Sequence, residues 1–358
     1  MRILYGVVGE GMGHAMRSRV VIAHLLAGGH EVEILASGRA VDFLSKHFGG
    51  VSRIHGLHII TEDNRVRLGK TVWSNAVAGA TGLPRNIASY FALIERFTPE
   101  LVLADFESWT YLYGKVHRLP VLSIDNMQII NRCRHDKALF RGEEASFRLT
   151  RAFVKSKLPG CSHYLITTFF RPEVRKKRTT LVPPILRPEI LAAQASRGEH
   201  LLVYQTSEGH DTLVATLAQL GVPCRVYGLR RELASDVVEG NLTYRPFSEA
   251  GFIADLASAR AVIAGGGFTL MGECVYLHKP MLSVPIDKQF EQVMNARYLE
   301  REGFGKYART AEDPDAIRGF LAELPRFEAA LAGYAQDGNR ELYEAVDHHL
   351  DRAAAGLH

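Results

Sequence analysis

The stretch that most constrains this chain is Val262–Leu299, VIAGGGFTLMGECVYLHKPMLSVPIDKQFEQVMNARYL. A short apolar run breaks at three consecutive glycines, Gly265, Gly266 and Gly267. A helix-compatible segment carrying Glu273 follows, then a second apolar run from Pro280 to Pro285 and a polar loop, Asp287–Gln292. That order reads as strand, glycine turn, helix, strand, loop, helix. In an open parallel sheet, ligands collect in the crevice beyond the carboxyl ends of the strands. A glycine turn that opens a helix presents bare N–H groups to a phosphate, so the expectation is a nucleoside diphosphate site.

The amino terminus opens in a similar way. Arg2–Val8 reads as a buried strand, Gly9, Gly11 and Gly13 as a flexible turn, and Met16–Leu26 as a packed helix stopped by Gly28 and Gly29. Glu31–Ala36 is the next strand, and such a βαβ unit requires parallel pairing with a right-handed crossover. The glycines lack the GxGxxG spacing, and no acid ends the second strand, which argues against a dinucleotide site. His14 stands directly after the last glycine, where the helix begins. It is either an ordinary surface or N-cap histidine, or a proton-transfer group at the mouth of a strand end. Pro99–Ala104 and Leu119–Ile124 read as strands that end at Asp105 and at Asp125–Asn126. Either acid can cap the following helix. Alternatively, Asp125 orients the His14 imidazole and stabilises its cation.

At 358 residues the chain is too long for one ordinary core. The proline-rich run Leu181–Pro188 reads as a linker. The expected fold class is α/β: two Rossmann-like, doubly wound units, residues 1–186 and 187–334, facing across a cleft, with a helical tail near 335–358 packing back on the first. Asn131–Lys157 carries Arg132, Arg134, Lys137, Arg141, Arg148, Arg151, Lys155 and Lys157, with Phe140, Phe147 and Phe153 interleaved. It reads as a solvated helical face, or as a patch that meets an acidic membrane or a phosphorylated acceptor. A net charge of +4 is too small for a nucleic-acid-binding signature. The four cysteines form no CxxC pair and no metal-ligand spacing, as reduced thiols of the cytosol would not. Met1–Val8 is too short for a signal-peptide core, and no apolar run approaches the ~20 residues that span a bilayer. The expected location is the cytoplasm, with peripheral contact at the inner face of the membrane through 131–157.

The run GGGFTLMGE followed by KPMLSVPIDKQFEQVMNA resembles the donor-site signature of GT-B glycosyltransferases, the class that includes the MurG type and the UDP-glycosyltransferases. GEGMGHAMR resembles the N-terminal glycine turn and histidine of that class, QTSEG its C-terminal Gly-Ser-x-Gly loop, and PVLSIDNMQ a segment carrying an acceptor-side Asn. The resemblance implies that Gly266, Gly267 and Thr269, with Gly13, lie against the donor diphosphate, and that Ser207 and Gly209 add a second contact. It implies that Glu273 accepts hydrogen bonds from the ribose hydroxyls and that Phe247 sits beside the base. Glu291 and Gln292 would hold the donor sugar, His14 would act as base, and Asp105 and Asn126 would face the acceptor. The chain departs from plant-type members at Gly265, where they carry His, and at Glu291, where Asp or Gln is usual.

The activity so implied is inverting transfer of a sugar from a nucleoside diphosphate sugar, UDP-linked by analogy, to an acceptor small molecule or lipid-linked glycan. Neither cofactor nor metal is expected, because no DxD-type acidic pair stands where a metal-bridged donor needs one. Two rivals share the plan: a UDP-sugar 2-epimerase, and a non-catalytic module that binds nucleotide sugars or lipids.

Overall fold

The computed structural model describes residues 1–9, 11–54, 61–62, 65–66, 89, 91–205, 211–286, 289–310 and 313–357. The first part of the chain supplies β1 (Arg2–Val7), β2 (Glu31–Ala36), β3 (Val51–Arg53), β4 (Thr61–Glu62), β5 (Arg65–Val66), β6 (Leu101–Asp105), β7 (Val121–Asp125), β8 (His163–Thr167) and β9 (Thr179–Val182). β4 and β5 form a separate antiparallel hairpin. The other seven make one sheet in the order β3-β2-β1-β6-β7-β8-β9. Its pairings are all parallel. Strands such as ILYGV and LVLAD are near-continuously buried, as a parallel sheet covered on both faces demands.

The second part supplies β10 (Leu201–Tyr204), β11 (Cys224–Tyr227), β12 (Val237–Glu239), β13 (Leu242–Tyr244), β14 (Ala261–Ala264), β15 (Met281–Ser283) and β16 (Gly305–Tyr307). They form a second seven-stranded sheet, β12-β13-β11-β10-β14-β15-β16, parallel except for the β12–β13 edge pair. In each sheet the winding direction reverses beside the first strand, between β1 and β6 and between β10 and β14. Loops leaving neighbouring strands there diverge to opposite faces and open a crevice.

Three sequence expectations change. The first helix runs Met12–Ala27, starting before the Met16 read from the apolar pattern, with His14 in its first turn. Leu181 and Val182 complete β9 instead of starting the linker. The Ala-rich run from Phe327 onward, read as helical throughout, is broken at a stretch holding Gly333 and Gly338: it closes the helix Leu324–Leu331 and then forms the tail helix Arg340–Ala354. On the last helix, Leu342, Val346 and Leu350 recur every four residues as one apolar stripe. They are buried with Ile3, Leu101, Leu122 and Leu165 of the first sheet. The chain therefore passes between the sheets twice, and the crossings are tied together. Asn339 accepts from the Leu186 N–H (2.9 Å) and donates to the Leu186 carbonyl (2.7 Å), while Gln336 donates to the Pro184 carbonyl (2.7 Å). The carboxyl edges of the two sheets face one another, and among their contacts are Gly13 against Thr269 and Asn126 against Glu291. Of residues 63–82, only Arg65 and Val66 of β5 are among the described residues.

Candidate active site

At the first carboxyl edge, β1 and the first helix deliver His14 to the end of β6, where Asp105 is the last strand residue. His14 Nδ1 lies 2.8 Å from Asp105 Oδ1. Arg17, one turn further along the same helix, donates from Nε to Asp105 Oδ2 (2.8 Å) and from Nη2 to Oδ1 (2.5 Å), and Ser18 Oγ donates to Oδ2 (3.0 Å). Burial alone would raise the Asp105 carboxyl, but Arg17 and His14 outweigh it and hold the acid below its usual range. His14 moves the same way for other reasons. Burial and the Arg17 cation push the imidazole below its ordinary value against the pull of Asp105. A neutral imidazole that donates Nδ1–H to a fixed carboxylate carries its lone pair on Nε2, which has no hydrogen-bond partner among the described residues. The side chain keeps 16% exposure, enough to meet a proton donor in the cleft.

The expectation that Asp125 orients His14 is corrected. Asp125 is fully buried, accepts from Ser123 Oγ (2.6 Å) and from the Gln128 N–H (2.7 Å), and so caps the turn that follows β7. Burial pushes its carboxyl up to about 6 against those two donors. Asp105, expected on the acceptor side, is the imidazole's partner instead. Asn126 does reach the cleft. Its Oδ1 accepts from Arg17 Nη1 (2.8 Å) and its Nδ2 donates to Glu291 Oε1 across the gap (2.7 Å).

At the second carboxyl edge, β14 ends at Ala264 and the helix Phe268–Tyr276 begins after Gly267, whose side-chain-free N-cap leaves the first-turn N–H groups without a side-chain partner. A Cβ on Gly266 would meet Gln292 Cβ at 2.5 Å and its Cα at 2.9 Å, so the turn is pressed onto the helix Phe290–Arg301. Gln292 Oε1 accepts from the Gly266 N–H (3.1 Å) and the Ile286 N–H (3.0 Å), which makes it a brace for the turn. A Cβ on Gly13 would stand 2.6 Å from Thr269 Oγ1, so the two glycine turns meet. Glu291 accepts from Asn126 and from Asn295 (2.6 Å), and its carboxyl is raised by burial against those donors. Phe247 follows β13 at the same edge and is 69% exposed, an apolar ring open to a planar partner. Ser207 and Gly209 lie outside the described residues.

Glu273 is also corrected. It is 2% exposed, and both of its oxygens are occupied by Arg187, Nε to Oε1 at 2.7 Å and Nη2 to Oε2 at 3.0 Å. Arg187 Nη1 donates to Glu249 (2.6 Å). A carboxylate clamped this way ties the interdomain crossing to the second unit, with both of its oxygens engaged and buried where the resemblance implied an open ribose contact. In the basic stretch, Arg132 is 7% exposed, bonded to Thr179 and stacked 3.5 Å over the Tyr164 ring, so it belongs to the core. The helix Glu144–Lys157 buries only Val154, which is the geometry of a solvated face.

Arg17 was not singled out from the sequence. The signal was its spacing, three residues after His14 on one helix face, where the two side chains must meet.

The profile of glycosyl transferase family 1 matches residues 1–325. The chain belongs to that family. A relative of this family 1 enzyme in Methanosarcina acetivorans, named an uncharacterized glycosyltransferase, is 23% identical over 372 residues, covering 97% of this chain and 93% of the relative. Among solved structures, Acinetobacter baumannii MurG superposes with a TM-score of 0.62 at 16% identity, covering 97% of this chain and 99% of that one. The spinosyn rhamnosyltransferase SpnG complexed with thymidine diphosphate gives 0.59 at 20% identity, over 93% and 94%. The family 1 glycosyltransferase thus has the GT-B fold, and none of the helices in its described residues is long and apolar enough to cross a membrane.

Proposed function

We propose that the enzyme moves a sugar from a nucleoside diphosphate sugar to an acceptor hydroxyl with inversion at the anomeric carbon, without a metal ion. The observation that carries this reading is the His14–Asp105 pair held at one lip of a cleft whose other lip is the uncapped helix start after Gly265–Gly267. His14 Nε2 takes the acceptor proton as the acceptor oxygen attacks and the bond to the diphosphate breaks. The leaving diphosphate gathers charge as that bond lengthens. The N–H groups of Gly267 and Phe268 and the Thr269 hydroxyl lower its energy through fixed dipoles. Phe247 stacks on the base, and Glu291 holds a donor sugar hydroxyl through the oxygen not committed to Asn126 and Asn295. A UDP donor is favoured by the likeness to a Bacillus thuringiensis transferase named for UDP-N-acetylglucosamine, and a thymidine one by the SpnG complex. The acceptor enters past the helix Glu144–Lys157, where exposed Leu149 and Phe153 beside basic residues suit an envelope lipid or an apolar small molecule.

Thermal-shift screening against UDP, TDP, GDP and ADP sugars identifies the donor, because a bound ligand stabilises by mass action. With that donor, His14→Gln should lose turnover by about 10²–10⁴-fold while nucleotide affinity stays within a few-fold. Turnover preserved within a few-fold sinks His14 as the base. Isomerisation of the donor with no acceptor present would move the assignment to an epimerase.

A further inference from the structure

We propose that Arg17 is the positioning residue of this site: it fixes the Asp105 carboxylate against His14 Nδ1 and, through Asn126, ties that pair to Glu291 on the facing unit. The inference rests on the reading of His14 as base.

Arg17 is 4% exposed, and all three of its nitrogens are committed. Nε and Nη2 grip the two oxygens of Asp105 as a fork, and Nη1 holds Asn126 Oδ1. A carboxylate with only His14 and Ser18 as partners could rotate. Gripped by the planar fork, it presents one oxygen to Nδ1 in one orientation. Nη2 lies 2.5 Å from His14 Nδ1, so the cation rests against the imidazole edge and opposes its protonation. Other charged groups reach the same ring or its partners. Lys157 faces His14 from the helix Glu144–Lys157, Tyr5 of β1 faces Asp105, and Asp125 of β7 faces Arg17.

The second arm fixes Asn126. Because Arg17 can only donate, Asn126 must turn its carbonyl oxygen to Arg17 and its NH2 to Glu291. Glu291 in turn accepts from Asn295, whose Nδ2 stands 3.4 Å from the Gly266 carbonyl. An unbroken polar chain thus runs His14–Asp105–Arg17–Asn126–Glu291–Asn295–Gly266, from the base to the glycine turn of the opposite unit. Parting of the two edges breaks it at one link, Asn126–Glu291, so Arg17 sets the base and the closed arrangement with one side chain.

NMR of the full chain labelled with [13C,15N]histidine reads this directly, the His14 signals being assigned by their loss in His14→Gln. In the unaltered protein His14 should titrate below the ordinary histidine midpoint and carry its neutral proton on Nδ1. Arg17→Met leaves Asp105 beside the imidazole without its cation, so the midpoint should rise by at least one pH unit, about a tenfold change in the protonation constant. Arg17→Lys keeps a charge without the fork; it should fall between the two and populate both tautomers. It also serves if Arg17→Met does not fold. A His14 midpoint and tautomer unchanged in either folded variant overturn the proposal. So does an Nε2–H tautomer in the unaltered protein. If His14 behaves as described yet His14→Gln turns over normally, the base assignment falls and the positioning role of Arg17 stands.

Discussion

At the first carboxyl edge, a fully buried acid is turned toward the cleft, where Asp105 keeps one oxygen on His14 and both on Arg17. At the second, acids just as buried are turned inward. Glu273 is closed on Arg187, and Asp255 is held by Arg245 Nε (2.9 Å), by the Tyr227 hydroxyl (2.6 Å) and by Arg225. Both edges are made by the same kind of sheet, with the winding reversed at the same place. They nonetheless use charge differently. The first edge brings the titratable His14–Asp105 pair to the cleft, whereas the second buries the ion pairs of Glu273 and Asp255 as scaffold and leaves backbone N–H groups, beside Glu291, at the cleft. A group that must change protonation in a reaction needs a tunable side chain. Binding an anion that stays charged can be left to fixed dipoles.

This contrast can be broken most severely at His14 and Asp105. Asp105→Asn should cost turnover about 10²-fold or more, in the same direction as His14→Gln, because the imidazole loses the carboxylate that stabilises its cation; steady-state rates with the donor identified by the thermal screen check this. If both variants bind nucleotide normally, the first edge is the chemical one.

Next in size, Glu273→Gln should lower the unfolding free energy by about 1–3 kcal/mol in denaturant melts, since the buried Arg187 loses one of its two carboxylates and keeps Glu249, while burial already raises the Glu273 carboxyl against it. A stability change under about 1 kcal/mol together with a tenfold loss of nucleotide affinity would restore Glu273 to the ribose and erase the contrast. Gly266→Ala should cost about 1–3 kcal/mol, because the new methyl meets the backbone of Gln292. Gly267→Ala enters open space, and its melt should stay within about 0.5 kcal/mol of the unaltered protein.

The smallest effect on turnover among the acids at the two edges belongs to Asp125→Asn. A carboxyl raised to about 6 in the fold binds its proton more tightly than in the unfolded chain. Its charge therefore opposes folding, increasingly as pH rises from about 4 through 6. The variant should be more stable by up to about 3 kcal/mol above pH 6, equal to the unaltered protein near pH 4, and within a few-fold in turnover. A large loss of turnover would return Asp125 to the histidine.

Much of the fold was legible because it rests on local rules. Short apolar runs gave the strands near β1, β2, β6, β7, β14 and β15, and the position of His14 after a glycine turn was enough to single it out. What was not legible involves partners distant in sequence. Asp105 and Asp125 end adjacent strands with the same signature, and only side-chain direction decides which of them reaches His14. Glu273 has the same identity and spacing whether it meets a ribose or Arg187, 86 residues earlier. β12 and β16 were missed because edge strands of three residues carry too few positions for a pattern.

The return of the helix Arg340–Ala354 to the first sheet makes the second sheet an insertion within the first unit rather than an appendage to it. A single proteolytic nick near residues 183–189 should therefore not release two bodies, since both fragments remain wedded through Leu342, Val346 and Leu350. Expressing residues 1–186 alone would leave that apolar floor bare to water and invite aggregation. A soluble first unit should need the final helix restored, fused after a short turn or supplied as a peptide.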